Sequence, residues 1–146
     1  MNLRRNFVLY LALALYVISL ALPAIYYSPL NSDVVTMVDR GITVYWEGTL
    51  FGIFVGIASG LANIFALVTL FNVLVTKNRN AAISMSVVAV ALGLSALYYI
   101  GTSIPLDEGG IRHVKILHYG AGYYVWLAAL ILLFVQSLML KKTVRS

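Results

Sequence analysis

The chain contains no cysteine, and charged residues make up only 10% of its 146 positions. Without a thiol it can form no disulfide, thiol redox centre or thiolate metal site, which excludes the quinone-linked thiol oxidases with four membrane helices. With 62% hydrophobic residues and a mean hydropathy of +0.94, it is too apolar for a soluble domain of this size. The composition therefore indicates a membrane protein.

Four apolar stretches approach or exceed the roughly 20 residues that a helix needs to cross a bilayer. They predict spans at residues 7–26, 50–75, 81–101 and 119–140, joined by outer loops at 27–49 and 102–118. The predicted fold class is all-α, an integral membrane four-helix bundle that forms a single domain over residues 1–146.

Acidic residues are scarce, and all of them fall in the two predicted outer loops: Asp33, Asp39, Glu47, Asp107 and Glu108. The remaining connections and the two ends carry seven basic residues and no acidic one. Because Lys and Arg concentrate on the cytoplasmic side of membrane proteins, this pattern predicts cytoplasmic termini in a multi-pass protein of the bacterial cytoplasmic (inner) membrane. The same rule explains the pI of 9.6 without a nucleic-acid partner.

Three local features leave alternatives open. Arg4 and Arg5 before an apolar run also resemble a signal peptide, but the run is long and its cleavage site poor, which favours a retained anchor. In the first outer loop, residues 31–40 read as a short amphipathic helix that Gly41 ends. In the second, residues 111–117 fit either a strand or an early extension of the last helix.

A row of glycines in the second span is the most specific packing signal. Gly48, Gly52, Gly56 and Gly60 recur every fourth residue, which would place them on one helix face, and Gly93 contributes a small residue on the third span. Such faces allow close helix packing in lipid. The expected partners are the lipid bilayer and another helix, which belongs to the same bundle, to a second copy of the chain or to another membrane protein.

The predicted spans contain no Asp, Glu, Lys, Arg or His side chain, and their candidate polar interior consists mainly of Asn63, Asn72 and Gln136. Amides at such positions usually bond to a neighbouring helix, so structural bonding by Asn63 is favoured over substrate contact. Glu47, at the outer mouth of the second span, is interpreted as a helix cap, with an ion or substrate ligand as the alternative.

The second outer loop contains both histidines of the chain, His113 and His118, next to Asp107 and Glu108. Together with Glu47 these are donor types that zinc or copper accepts at an outer surface. The two histidines lie five residues apart, one more than a helical ligand pair, and the carboxylates belong to different segments. We therefore expect no metal site and no cofactor.

Three motifs resemble a family. Leu22-Pro23-Ala24 ends the first span, Leu61-Ala62-Asn63 lies in the second, and a motif of nine residues, GAGYYVWLA at 120–128, opens the fourth. Together they resemble a loose group of small, uncharacterised bacterial inner-membrane proteins with four spans. The resemblance implies a bacterial four-span fold and supplies no activity.

The sequence ranks three classes of function. The first is a non-enzymatic protein that acts through helix–helix or loop-mediated contact, as an accessory subunit or as an immunity-type protein that recognises a toxin. The second is a small oligomeric transporter or channel component. The third is an outer-face metal-binding protein or membrane enzyme. This order follows from the lack of charge at the predicted span centres.

Overall fold

The computed structural model describes residues 3–30, 35, 37–50, 58–105 and 113–140 of the chain. Within these ranges lie five α-helices and one antiparallel sheet of four strands. Two 3-10 turns (Ala58–Leu61 and Ala96–Tyr99) and a π-helical segment (Asn72–Thr76) extend the helices. The elements are α1 (Leu3–Ala21), β1 (Pro23–Pro29), β2 (Met37–Arg40), α2 (Gly41–Leu50), α3 (Ala62–Phe71), α4 (Arg79–Ser95), β3 (Ser103–Pro105), β4 (His113–Tyr119) and α5 (Ala121–Leu138).

Three helical segments of the described chain are long and apolar enough to cross a membrane: Ser59–Thr76, Arg79–Tyr99 and Ala121–Leu138. The described apolar part of α1, Phe7–Ala21, is shorter. α5 packs against α1 and α4, and α3 packs against α4. α4 turns small residues into the bundle, so these helices approach closely; the buried ones are Ala82, Ser86, Ala89 and Gly93.

A short turn joins the π-helical segment to α4 at one end of the bundle. Lys77 adopts the left-handed conformation with φ of 50°, which stops the preceding helix. The side chain of Asn78 then accepts a hydrogen bond of 3.2 Å from the backbone N–H of Ala81 and caps α4. The two helices consequently run antiparallel.

The sheet covers the other end of the bundle, which we call the sheet end. Its strand order is β2-β1-β4-β3, and all neighbours are antiparallel. β1 and β2 lie between α1 and α2, whereas β3 and β4 lie between α4 and α5. Both predicted outer loops therefore contribute to one sheet, and its central pair joins the two halves of the chain.

One face of the sheet packs on the helices through an aromatic core. Tyr27, Ile116, Tyr119 and Tyr123 are buried there with Ala96. The hydroxyl of Tyr119 donates to the carbonyl oxygen of Ala96 at 2.7 Å, and that of Tyr123 donates to Gly93 at 3.0 Å. Tyr119 lies on β4 and Tyr123 lies near the start of α5, so the first bond joins the sheet to the end of α4 and the second joins α5 to α4.

The prediction of an all-α four-helix bundle is wrong, because the protein combines helices with a four-stranded antiparallel sheet. α1 ends at Ala21, where the first span was predicted to continue to residue 26. Pro23 lacks the backbone donor that a continuing helix needs, and Ile25 and Tyr26 belong to a strand. Hydropathy does not distinguish apolar strand residues from those of an apolar helix, so the predicted span included Ile25 and Tyr26.

The amphipathic helix predicted over residues 31–40 is also absent from its described portion. Met37–Arg40 forms β2, and Gly41 begins α2. A Cβ atom on Gly41 would collide with the backbone carbonyl of Ser19, so glycine here permits close contact with α1. Residues 31–34 and 36 lie outside the described part of the chain.

Of the second predicted span, residues 50–75, the described apolar helical segment is Ser59–Thr76, and residues 51–57 lie outside the described part of the chain. α2 lies beside the turn Ala58–Leu61 and the start of α3 instead of end to end with them. Asn63 donates a hydrogen bond of 2.9 Å to Thr49, whereas a continuous helix would separate these residues by about 21 Å.

Candidate functional site

Two of the motifs that carry the family resemblance pack against each other at the sheet end. The backbone N–H of Gly120 donates to the carbonyl of Ala24 at 2.9 Å. A Cβ atom on Gly120 would lie 2.5 Å from the carbonyl oxygen of Pro23, and one on Gly122 would lie 2.7 Å from that of Leu22. The N-terminal end of α5 thus packs against the junction of α1 and β1. The lack of side chains at Gly120 and Gly122 allows the two backbones to approach closely.

Asn63 occupies the centre of a buried hydrogen-bond cluster. Its Oδ1 accepts from the hydroxyl of Tyr16 at 2.9 Å and from Nε1 of Trp126 at 3.0 Å, while its Nδ2 donates to Thr49 at 2.9 Å. The side chain is 5% exposed. One amide therefore connects α1, α2, α3 and α5. We call its members the Asn63 cluster: Tyr16, Thr49, Asn63 and Trp126. The cluster also joins the Leu61-Ala62-Asn63 motif to the motif at 120–128, because Trp126 belongs to the latter.

The far side of the sheet is shaped by a bulge in β4. Tyr27 pairs with Ile116, but its neighbour Tyr26 pairs with His118, so Leu117 is an extra residue on β4. The bulge places His118 on the face away from the core, where its ring stacks on Tyr26 with centroids 4.5 Å apart.

This far face carries polar and aromatic side chains. Ser103 pairs with Lys115 across β3 and β4, and its hydroxyl oxygen lies 3.2 Å from Nδ1 of His113. Ser103, His113 and His118 are exposed, and the other members are partly exposed. We call this surface the sheet face, and its members are Tyr26, Ser103, His113, Lys115 and His118. Its position is fixed by the sheet beneath it, which packs on the helices.

The candidate metal donors are not gathered into a site in the described chain. His113 and His118 lie on the same strand, about 16 Å apart along its length. That separation is too large for both rings to reach one ion at metal–nitrogen distances of about 2 Å. No group of three or more His, Asp or Glu side chains in the described ranges is arranged to hold a metal ion. Asp107 and Glu108 lie outside the described residues, and the backbone of Glu47 lies in α2.

The predicted glycine row is distributed over separate elements. Gly48 lies in α2, Gly60 is buried in the turn Ala58–Leu61, and Gly52 and Gly56 lie outside the described residues. Gly93 packs in α4, where an added Cβ atom would meet side-chain carbons of α5 at 3.1 to 3.4 Å. Of these residues, Gly60 and Gly93 are the ones that the structure places in helix contacts.

The other two polar interior residues differ from Asn63. Asn72 donates to the carbonyl of Val68 at 2.8 Å and accepts from Thr76 at 2.9 Å, so both bonds remain within its own helical segment. Gln136 is 2% exposed, and its Oε1 has no hydrogen-bond partner among the described residues. Asn72 is thus satisfied locally, and Gln136 is a buried amide with an open acceptor.

The sequence singled out Asn63 but not its partners. Tyr16, Thr49 and Trp126 have no shared spacing, because they belong to three different helices. Trp126 was part of the fourth-span motif, and that motif was the only signal that pointed to it.

No family model, curated protein or solved structure matches the chain. The resemblance to small bacterial four-span proteins therefore stays a prediction. The fold and the site define the chain only as an apolar helical protein with a sheet seated on one end of its bundle.

Proposed function

We propose that this chain is a multi-pass protein of a bacterial cytoplasmic membrane that acts by protein contact through its sheet face, as an accessory subunit or an immunity-type protein. The observation that carries the proposal is the construction of the sheet. Segments from both halves of the chain are combined into one layer, whose inner face is attached to the end of α4 by Tyr119 and whose outer face displays Tyr26 and His118.

The charge distribution supports the orientation. Lys77 and Arg79 lie at the end of the bundle opposite the sheet, where the positive-inside rule puts the cytoplasm. The three apolar helices run between that end and the sheet. In this orientation the sheet face is outside the cytoplasm and both termini are inside.

Transport is the weaker candidate because the amide oxygen of Asn63 is engaged. Both acceptor positions of that oxygen and one of the two donor hydrogens of the amide are used by Tyr16, Trp126 and Thr49. A substrate that bound the oxygen would have to displace Tyr16 or Trp126. The cluster therefore fits helix association better than passage of a solute.

Site-specific photocrosslinking in cells tests the proposal. A benzophenone amino acid at Tyr26 keeps an aromatic ring on the sheet face, and the same residue at Phe71, which is exposed on α3, is the matched control. We expect a discrete protein adduct from position 26 and none from position 71.

A second variant tests whether the contact is specific. His118→Glu replaces an imidazole on the sheet face with a carboxylate, and His118 is exposed, so the fold should tolerate it. The adduct from position 26 should weaken severalfold while the thermal unfolding temperature is unchanged. Absence of adducts from positions 26, 103, 115 and 118 would contradict the proposal, as would adducts from Phe71 alone.

A further inference from the structure

Two large apolar side chains on α2 are exposed and point away from the bundle. Ile42 and Trp46 lie one helical turn apart, with 50% and 58% of their surfaces exposed. Such a pair is unfavourable in water, so we ask what surrounds these two side chains. The depth of α2, meaning its position along the axis of α1, indicates the answer.

Contacts with α1 fix that depth. Gly41 abuts the backbone of Ser19, and the ring of Tyr45 lies edge-on to that of Tyr16 with centroids 6.3 Å apart. Tyr16 lies about 8 Å below the end of α1 at Ala21. α2 thus begins level with the end of α1 and descends beside it for part of its length.

The same level of α1 carries its own exposed apolar residues. Val17 is 65% exposed and Ile18 is 50% exposed. If α1 crosses the bilayer, these side chains contact acyl chains, because they lie within the helix and face away from the other helices. Ile42 and Trp46 are at that depth, because Gly41 and Tyr45 beside them contact Ser19 and Tyr16.

The residues just before α2 fit the boundary of the bilayer. Arg40 is exposed and pairs with Pro23, immediately beyond the end of α1. A guanidinium at this height suits lipid phosphates, and Trp46 just below it suits the upper acyl region. Met37 and Val38 are also exposed on β2, the strand that leads into α2.

We infer that α2 is an outer-leaflet helix: Ile42 and Trp46 enter the hydrocarbon of the outer leaflet, and Arg40 contacts lipid phosphate. α2 enters the bilayer without crossing it and holds the sheet at the membrane surface. The inference rests on the proposed membrane orientation. It assigns the apolar face of α2 to lipid and leaves the sheet face to a protein partner.

Tryptophan fluorescence in proteoliposomes tests this inference. The chain has two tryptophans, so the difference between wild type and Trp46→Phe isolates the emission of Trp46 and leaves Trp126 in the Asn63 cluster. With phosphatidylglycerol and phosphatidylcholine brominated near the top of the acyl chains, the Trp46 signal should fall roughly twofold. Aqueous iodide should quench it much less than it quenches free tryptophan.

Phe71→Trp in the Trp46→Phe background is the lipid-facing control, since Phe71 is 55% exposed on α3. If that control is quenched by brominated lipid and Trp46 is not, the inference is overturned while the membrane orientation stands. If neither responds, the membrane embedding itself is contradicted. Protection of Trp46 from both quenchers would mean that protein covers α2, and this also overturns the inference.

Discussion

Tyr16 and Trp126 donate to the same atom, Oδ1 of Asn63, from opposite ends of the sequence. One donor comes from α1 and the other from α5, and Asn63 itself belongs to α3. Because Asn63 is buried away from competing hydrogen-bond partners, this shared acceptor holds three helices in one relative position. Thr49 adds α2 to the same group.

Asn63→Leu should therefore destabilise the bundle. It removes three interhelical bonds, which we expect to lower the free energy of unfolding by about 2 kcal/mol. Asn72→Leu is the matched control, because Asn72 bonds only within its own helical segment; its loss should cost less than about 1 kcal/mol. Unfolding of both variants in detergent micelles measures the difference, and equal losses would contradict the role given to the cluster.

Gln136→Met should stabilise the protein, in contrast to Asn63→Leu. Its amide oxygen is buried without a partner, and such an acceptor typically costs about 1–3 kcal/mol. Methionine has a similar length and no strong acceptor, so the variant should unfold at a higher temperature than wild type. A clear loss of stability in the same assay would show that the amide takes part in an interaction of the native protein.

The opening of α5 should not tolerate an added methyl group. In Gly120→Ala the Cβ atom would meet the backbone oxygen of Pro23, and such overpacking is expected to cost about 1–3 kcal/mol. Gly93→Ala meets only carbons of flexible or aromatic side chains, at 3.1 Å or more, and it gains helix propensity. Gly93→Ala should thus leave the amount of folded protein recovered from membranes nearly unchanged, whereas Gly120→Ala should lower it. An equal loss in both variants would contradict the close contact of Gly120 with Pro23.

Tyr119 links stability to pH. Burial, followed by the nearby phenols of Tyr123 and Tyr99, raises the pKa of Tyr119 above its usual value, so the folded protein holds the proton longer than the unfolded chain. Its contribution is complete below about pH 10, the pKa in the unfolded chain, and is lost as the pH rises further. Tyr119→Phe should lower stability by about 1 kcal/mol at neutral pH through the lost bond to Ala96 and should flatten the alkaline decline.

Denaturant titrations at several pH values measure that decline. Tyr98→Phe is the control because Tyr98 is 82% exposed. It should match wild type at every pH, and a flattening as large as that of Tyr119→Phe would remove the assignment to the buried phenol.

The absence of native cysteine makes the orientation directly testable. Ser103→Cys adds a thiol on the exposed sheet face, and Lys77→Cys adds one at the opposite end of the bundle. A membrane-impermeant maleimide should label position 103 in intact cells and position 77 only after the membrane is opened. The reverse labelling pattern would contradict the proposed orientation and would place the sheet end on the cytoplasmic side.

The sequence predicted two of the long apolar helices. The predicted spans at 81–101 and 119–140 overlap the apolar helical segments Arg79–Tyr99 and Ala121–Leu138, because apolar length alone indicates such segments. Asn63 also stood out, as an amide in a strongly apolar surrounding. These signals are local, so one sequence is enough to read them.

The sheet could not be read in the same way, since its pairing is not local. Ile25 pairs with Tyr119, and neither residue marks the other in the sequence. Gly41 was read as a helix stop because glycine often ends helices, whereas here it begins one and makes room for α1. The depth of α2 depends on these contacts and was hidden for the same reason.

The central position of β1 has a consequence for biosynthesis. Its neighbour β4 begins at His113, whereas β1 ends at Pro29, so the helices between them must be synthesised before the two strands can meet. During that interval one edge of β1 has unpaired backbone groups. A product that terminates before β4 would keep this edge bare and able to pair with another extended chain.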